Sequence, residues 1–253
     1  ILIMFNNLTP ITKNIIIINV ILYILSNIFI SLYSVLPAYY PFGPNFKSWQ
    51  VITHMFMHAP WGSGTGIMHI LFNMLTLASF GPVLEQYLRE KRYLILYFAS
   101  GLGAFILFNV WNAYEVHQIV SALNIEGSGA SDIFAKSSLT YQGEMSINAK
   151  TAEGARLSQE LFNALRTPML GASGAIFGVV AAFSTLFPNA KLMFMFIPFP
   201  IKAKYLFPII VAVSVYLGFS DSMSGVAHFA HVGGAIIGYI LAKVWNKNTF
   251  RIQ

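Results

Sequence analysis

Long apolar runs, nearly free of Asp, Glu, Lys and Arg, recur along this chain. Each is close to the ~20 residues a helix needs to cross the hydrocarbon core of a bilayer. They predict six helices, at about 15–36, 67–88, 93–111, 170–188, 205–220 and 226–245, packed as one bundle. The fourth and fifth are short. Pro188, Pro198, Pro200 and Pro208 interrupt the chain between or near them, because proline removes a helix donor and clashes with the preceding turn. The first run, Ile15 to Leu36, exceeds the roughly 7–15 residues of a signal-peptide core and lacks a small-residue cleavage site, so it reads as a retained helix.

One stretch, 112–167, breaks the apolar pattern. Val116, Ile119, Val120 and Leu123 recur at helical spacing, as do Leu157, Leu161, Phe162 and Leu165, with Ser and Gly concentrated between 127 and 131. Two amphipathic helices in a soluble insert are expected there.

Composition agrees with the pattern: 56% of the 253 residues are hydrophobic and only 9% charged, against roughly 25% charged in a soluble domain. The formal charge of +6 could suggest nucleic acid, but the basic residues form no run with interleaved aromatics. They flank the apolar segments instead. With the N-terminus in the cytoplasm, the inner segments hold Lys13; Arg89, Lys91 and Arg92; Lys191, Lys202 and Lys204; and Lys243, Lys247 and Arg251, whereas short outer loops hold only Lys47. Positive residues stay inside, so both termini are expected in the cytoplasm of a cell (inner) membrane and the 112–167 insert outside. The absence of cysteine excludes disulfides, thiol catalysis and Cys-ligated metals.

Ionisable groups within membrane spans are costly and therefore functional candidates. Here they are mainly histidines: His54 and His58 before the second span, His69 at its start, and His228 and His231 in the sixth. Asn73 follows His69 by one helical turn on the same face. The tetrapeptide Gly171-Ala172-Ser173-Gly174 opens the fourth span, and taken alone it fits a serine among small packing residues better than a nucleophile. Its setting changes the balance. Gly174 and Gly178, like Gly234 and Gly238, form small-xxx-small faces that let helix backbones approach. Ser173 and His231 sit just before those faces at the same outer depth, so a hydroxyl and an imidazole could meet within hydrogen-bond reach.

Together, Trp49 with His54 and His58, His69-Ile70-Leu71-Phe72-Asn73, Gly171-Ala172-Ser173-Gly174 and Ala230-His231-Val232-Gly233-Gly234 running on to Gly238 resemble the motifs of the rhomboid intramembrane proteases, over about 45–245 without the insert. The resemblance implies an all-α, six-transmembrane-helix bundle, with the insert between the third and fourth helices, in a single domain over 1–253. It implies Ser173 as nucleophile, His231 as its base, and an oxyanion hole of His69, Asn73 and the Ser173 backbone N–H. Phe177, Gly171, Gly174, Gly234 and Gly238 would support them, and Glu85 resembles a structural acid. Three departures stand out: Gln50 follows Trp49 where the family often has arginine, Phe177 replaces a frequent tyrosine, and both the first loop (Ala59 to Gly66) and the insert are long.

The implied activity is serine endopeptidase cleavage of transmembrane segments of other membrane proteins, in a cavity open to the outer water. No cofactor, metal or nucleic acid is called for. No acidic residue lies near Ser173 or His231 in sequence, so a Ser-His dyad is expected. Two alternatives remain open at this point. One is a proteolytically inactive relative that binds membrane clients. The other is a membrane oxidoreductase whose metal is held by pairs such as His54/His58 and His228/His231; six histidines fall short of the roughly eight that di-iron desaturases use, and no His is followed by Glu as H-E-x-x-H zinc sites require.

Overall fold

A computed structural model describes residues 8–64, 66–127, 129–143, 149–194, 197–219 and 226–249. Helix α1 spans Pro10–Ile28, with Thr9 extended before it and Pro10 at the position where a missing N–H costs nothing. Its first turn is capped from far along the chain. Glu85 accepts from the backbone N–H of Ile11 (3.0 Å) and Thr12 (2.8 Å), from the Thr12 hydroxyl (2.8 Å) and from the Thr9 hydroxyl. The helix buries polar residues among apolar Ile15, Ile16 and Tyr23 and turns an apolar face outward. Thr12, Asn19 and Ser26 are fully buried, whereas Ile17, Ile21, Ile24 and Ile28 are exposed, which is the arrangement that lipid, not water, favours.

The first helix begins five residues before the sequence-predicted start and ends at Ile28, not near 36. Phe29 leaves helical geometry, and a short helix α2, Leu32–Val35, follows. Hydropathy could not show this stop because the apolar run continues; the tie that imposes it is tertiary. Asn27 donates to the Tyr23 carbonyl and accepts from the Trp61 backbone N–H at 2.9 Å, pinning the helix end to the first loop. That loop carries α3, Gln50–Thr53, and a 3-10 turn, His54–Phe56.

Helix α4 runs Gly66–Ile125 and is broken at Arg89, whose φ of 67° turns the chain into a second arm. The first arm matches the predicted second span closely. The second does not stop near 111: with no Gly or Pro from 112 to 125, the stripe of Val116, Ile119 and Leu123 simply continues the helix. The first of the two expected amphipathic helices is therefore the outer part of α4. Helices α5 (Ala130–Lys136) and α6 (Ala152–Arg166) fold back on it. Val116, Leu123, Ile133, Leu157, Leu161, Leu165 and Tyr40 form a separate apolar cluster, so the expected apolar faces are buried against one another. Asn45 of the first loop bonds the carbonyls of Ser137 and Leu165 and the N–H of Leu139, tying that loop to the same cluster.

Helix α7 spans Ser173–Leu186, α8 Leu206–Phe219 and α9 Val226–Thr249. Between α7 and α8 lies an element the hydropathy reading lacked: strand β1, Lys191–Phe194, pairs antiparallel with β2, Ile197–Lys202. The mostly helical fold fits the all-α expectation, with this one hairpin added to it; a two-stranded sheet has only edges, where Pro198 and Pro200 are tolerated. Helix α9 packs on α7 and on the second arm of α4.

Candidate active site

The seam between α7 and α9 is built from glycine. A Cβ on Gly234 would fall on the Gly174 carbonyl oxygen, and one on Gly238 on the Gly178 carbonyl oxygen. Only hydrogen at both positions lets the two backbones touch. On the third side, a Cβ on Gly174 would meet Ala104 and one on Gly178 would meet Ser100, both from the second arm of α4. This close packing brings Ser173, the first residue of α7, to His231 of α9: Oγ lies 2.9 Å from Nε2. With Nε2 unprotonated, the serine O–H can donate to it and pass on its proton.

The imidazole has little freedom. Phe177, one turn after Ser173, stacks on it with ring centroids 4.1 Å apart and planes 8° from parallel, and His228 meets it edge-on at 6.1 Å. The serine is held from the other direction. Met169 and Ala38 exchange backbone hydrogen bonds of 2.9 and 2.7 Å, and the Gly171 N–H donates to the His54 carbonyl at 3.0 Å. His54 is itself buried, with Nδ1 on the Gln50 carbonyl at 2.8 Å. Gln50 is fully buried and bonds Val35, Asn45, Tyr39 and Lys47. The residue that departs from the resembled motif is thus the hub of the first loop.

Gly171 has φ 128°, a backbone region costly for any side chain, and a Cβ there would stand 3.0 Å from His69 Nε2 and 3.5 Å from Ser173 Oγ. His69 therefore faces the serine across the bare Cα of Gly171. The Ala59 N–H points at His69 Nδ1 at 3.5 Å, an arrangement that leaves the proton of a neutral ring on Nε2, toward the serine. The first intrahelical bond of α7 runs from Ile176 N–H to the Ala172 carbonyl, so the Ser173 N–H belongs to the orphan donors at a helix start. Asn73 is buried and its Nδ2 has no partner among the described residues, a condition that costs about 1–3 kcal/mol unless something else accepts.

Two cavities border these groups. One of about 350 Å³ is lined by Ser173, His231, Gly171 and Met169, and by Glu115 and Asn163 from the insert region. A second, about 310 Å³, is lined by Phe177, Asn73, Thr76 and Leu206. Asn73 and the Ser173–His231 pair thus line different cavities. Glu115 was not among the residues singled out from sequence. Its signal was Asn112-x-x-Glu115 on one helical face, visible only once the third span is extended past 111. Glu85 contributes no side chain to this region; it caps α1.

Residues 45–131 and 147–247 match the rhomboid domain family, and this chain belongs to the rhomboid family. The family is one of integral membrane proteins. Rhomboid protein 1 of Saccharomyces cerevisiae mitochondria is 28% identical over 190 residues, covering 73% of this chain and 41% of its own length. The rhomboid protease AarA of Providencia stuartii is 26% identical over 197 residues (77% and 54%), and the rhomboid protease GluP of Bacillus subtilis 25% over 194 residues (77% and 25%). The chain spans about half the length, or less, of these relatives.

Proposed function

We propose that this chain is an intramembrane serine endopeptidase that cleaves transmembrane segments of other membrane proteins, with Ser173 as nucleophile and His231 as base. The observation that carries the reading is the 2.9 Å contact between Ser173 Oγ and His231 Nε2, in an imidazole clamped by Phe177. Transfer of the serine proton to Nε2 lets Oγ attack the scissile carbonyl carbon, and His231 returns that proton to the leaving amine. Water entering the bordering cavity then releases the acyl group, with the same imidazole as base. The oxyanion of each tetrahedral intermediate would be met by the Ser173 N–H, His69 Nε2 and Asn73 Nδ2. Asn73's unpartnered donor supports its share in this.

The proposal includes a single domain over 1–253 with six spans: α1, the two arms of α4, α7, α8 and α9. Both termini are cytoplasmic and the 112–167 insert is extracytoplasmic, a reading the charge pattern supports. Partners are the bilayer and substrates that carry a transmembrane helix; the mechanism uses no cofactor. The test is cleavage of single-span substrates by detergent-solubilised protein. Ser173→Ala and His231→Ala should each abolish cleavage while remaining folded, since both remove members of one acting unit. Full cleavage by either variant sinks the assignment.

A further inference from the structure

The cavity at Ser173 does not end there. It shares Glu115, Asn163 and Ala164 with a second, open cavity of about 550 Å³ that continues past Gln118, Ile119 and Glu160. The two form one groove between the second arm of α4 and α6. From Phe108 at the inner end to Ile119 at the outer, eleven helical steps rise ~16 Å, the length of about five extended residues. Polarity rises along it: Phe108, Met169, Leu170 and Ala230 line the inner end, and outward Glu115, Gln118, Glu160 and Asn163 join Trp111, Tyr114 and Ile119. Glu115 and Glu160, both half-buried, are the charged residues of the groove lining; Glu160 is ion-paired with Arg156, which also pairs with Glu153, so one cation is shared by two carboxylates and the outer end stays net negative.

Resting on the protease reading above, we propose that this groove is the substrate-recognition site, holding the extended segment on one side of the scissile bond. It selects an apolar residue next to that bond and a Lys or Arg within about five residues of it, read by Glu115 with Glu160 beyond. Three features fit this occupant: continuity with the Ser173–His231 pair, a length that matches a short extended strand, and a negative outer end complementary to a basic flank. The insert then has a defined task, since α6 supplies one wall.

The test uses the full chain in detergent and a set of single-span substrates that differ only in carrying Lys or Glu at each of the five positions on either side of the scissile bond. The readout is the ratio of kcat/KM for the Lys and Glu members, measured within each enzyme so that any general loss of folded protein cancels. For the unmodified chain the ratio should reach about tenfold at one or two positions on one side. It should fall to about twofold or less in Glu115→Gln and invert in Glu115→Lys, with Glu160→Gln lowering the ratio at a position farther from the bond. A ratio near one at every position in the unmodified chain, or one that persists in all three variants, overturns the groove assignment and leaves the protease reading intact. Absence of any cleavage, with Ser173 unreactive toward a small fluorophosphonate, overturns the protease reading and the groove with it.

Discussion

Replacing Gly234 by alanine would place a methyl carbon 2.8 Å from the Gly174 carbonyl carbon and nearer still to its oxygen. Non-bonded carbon atoms sit best at ~3.5–4.0 Å, so α7 and α9 must part by about 1 Å at this point. Gly174 adjoins Ser173, and Gly234 follows His231 by three residues, so the separation opens at the reacting pair. The contact between Oγ and Nε2, 2.9 Å in the native chain, would lengthen to about 3.9 Å, outside hydrogen-bond range. Such misplacement costs about 10²-fold in rate, and overpacking costs about 1–3 kcal/mol in stability. The assay compares cleavage rate per folded molecule, and thermal midpoint in detergent, for Gly234→Ala and for Gly62→Ala, where a Cβ meets nothing within 4 Å. Gly62→Ala should behave as the unmodified chain. A folded Gly234→Ala within about twofold of the native rate would refute the claim that glycine contact sets the dyad distance.

Gly171→Ala should lose cleavage to a similar extent, since it combines a disfavoured backbone with a methyl against His69 and Ser173; native turnover would show that this geometry is not required. Asn73→Ala should lower kcat by about 10²–10³, the usual scale for one oxyanion donor, whereas an unchanged rate would demote Asn73 to packing. Glu85→Gln should lower stability by about 2–4 kcal/mol, because four donors around α1 lose a charged acceptor; an unaltered thermal midpoint contradicts the capping role. Single cysteines at 130 and 250 of this cysteine-free chain test orientation: an impermeant thiol reagent applied to intact cells should label 130 and spare 250, and the opposite result reverses the topology.

What was legible in sequence depended on how local the cause was. The spans at 67–88 and 226–245 and the short helix at Ser173 follow from hydropathy and from the break in the chain before that serine, and the structure has helices there. The glycine spacings foretold a close seam because a missing side chain is visible without any partner. Both ends of α1 were illegible, since Glu85 caps its start and Trp61 ties its end, both far away in sequence. So was the outer part of α4, where a fall in hydropathy resembled a helix end although nothing in the backbone chemistry of 112–125 stops a helix. That misreading also hid Glu115. Gln50 read as the loss of a family arginine, and only the assembled loop reveals four partners around its buried amide.

Whether His231 makes Ser173 a nucleophile is read out by mass-spectrometric mapping of the adduct formed by a fluorophosphonate on the folded, detergent-solubilised chain. The native protein should carry a single adduct, on Ser173, and His231→Ala should lose it at equal thermal stability. An adduct elsewhere, or labelling of Ser173 at the native rate without His231, would contradict the dyad.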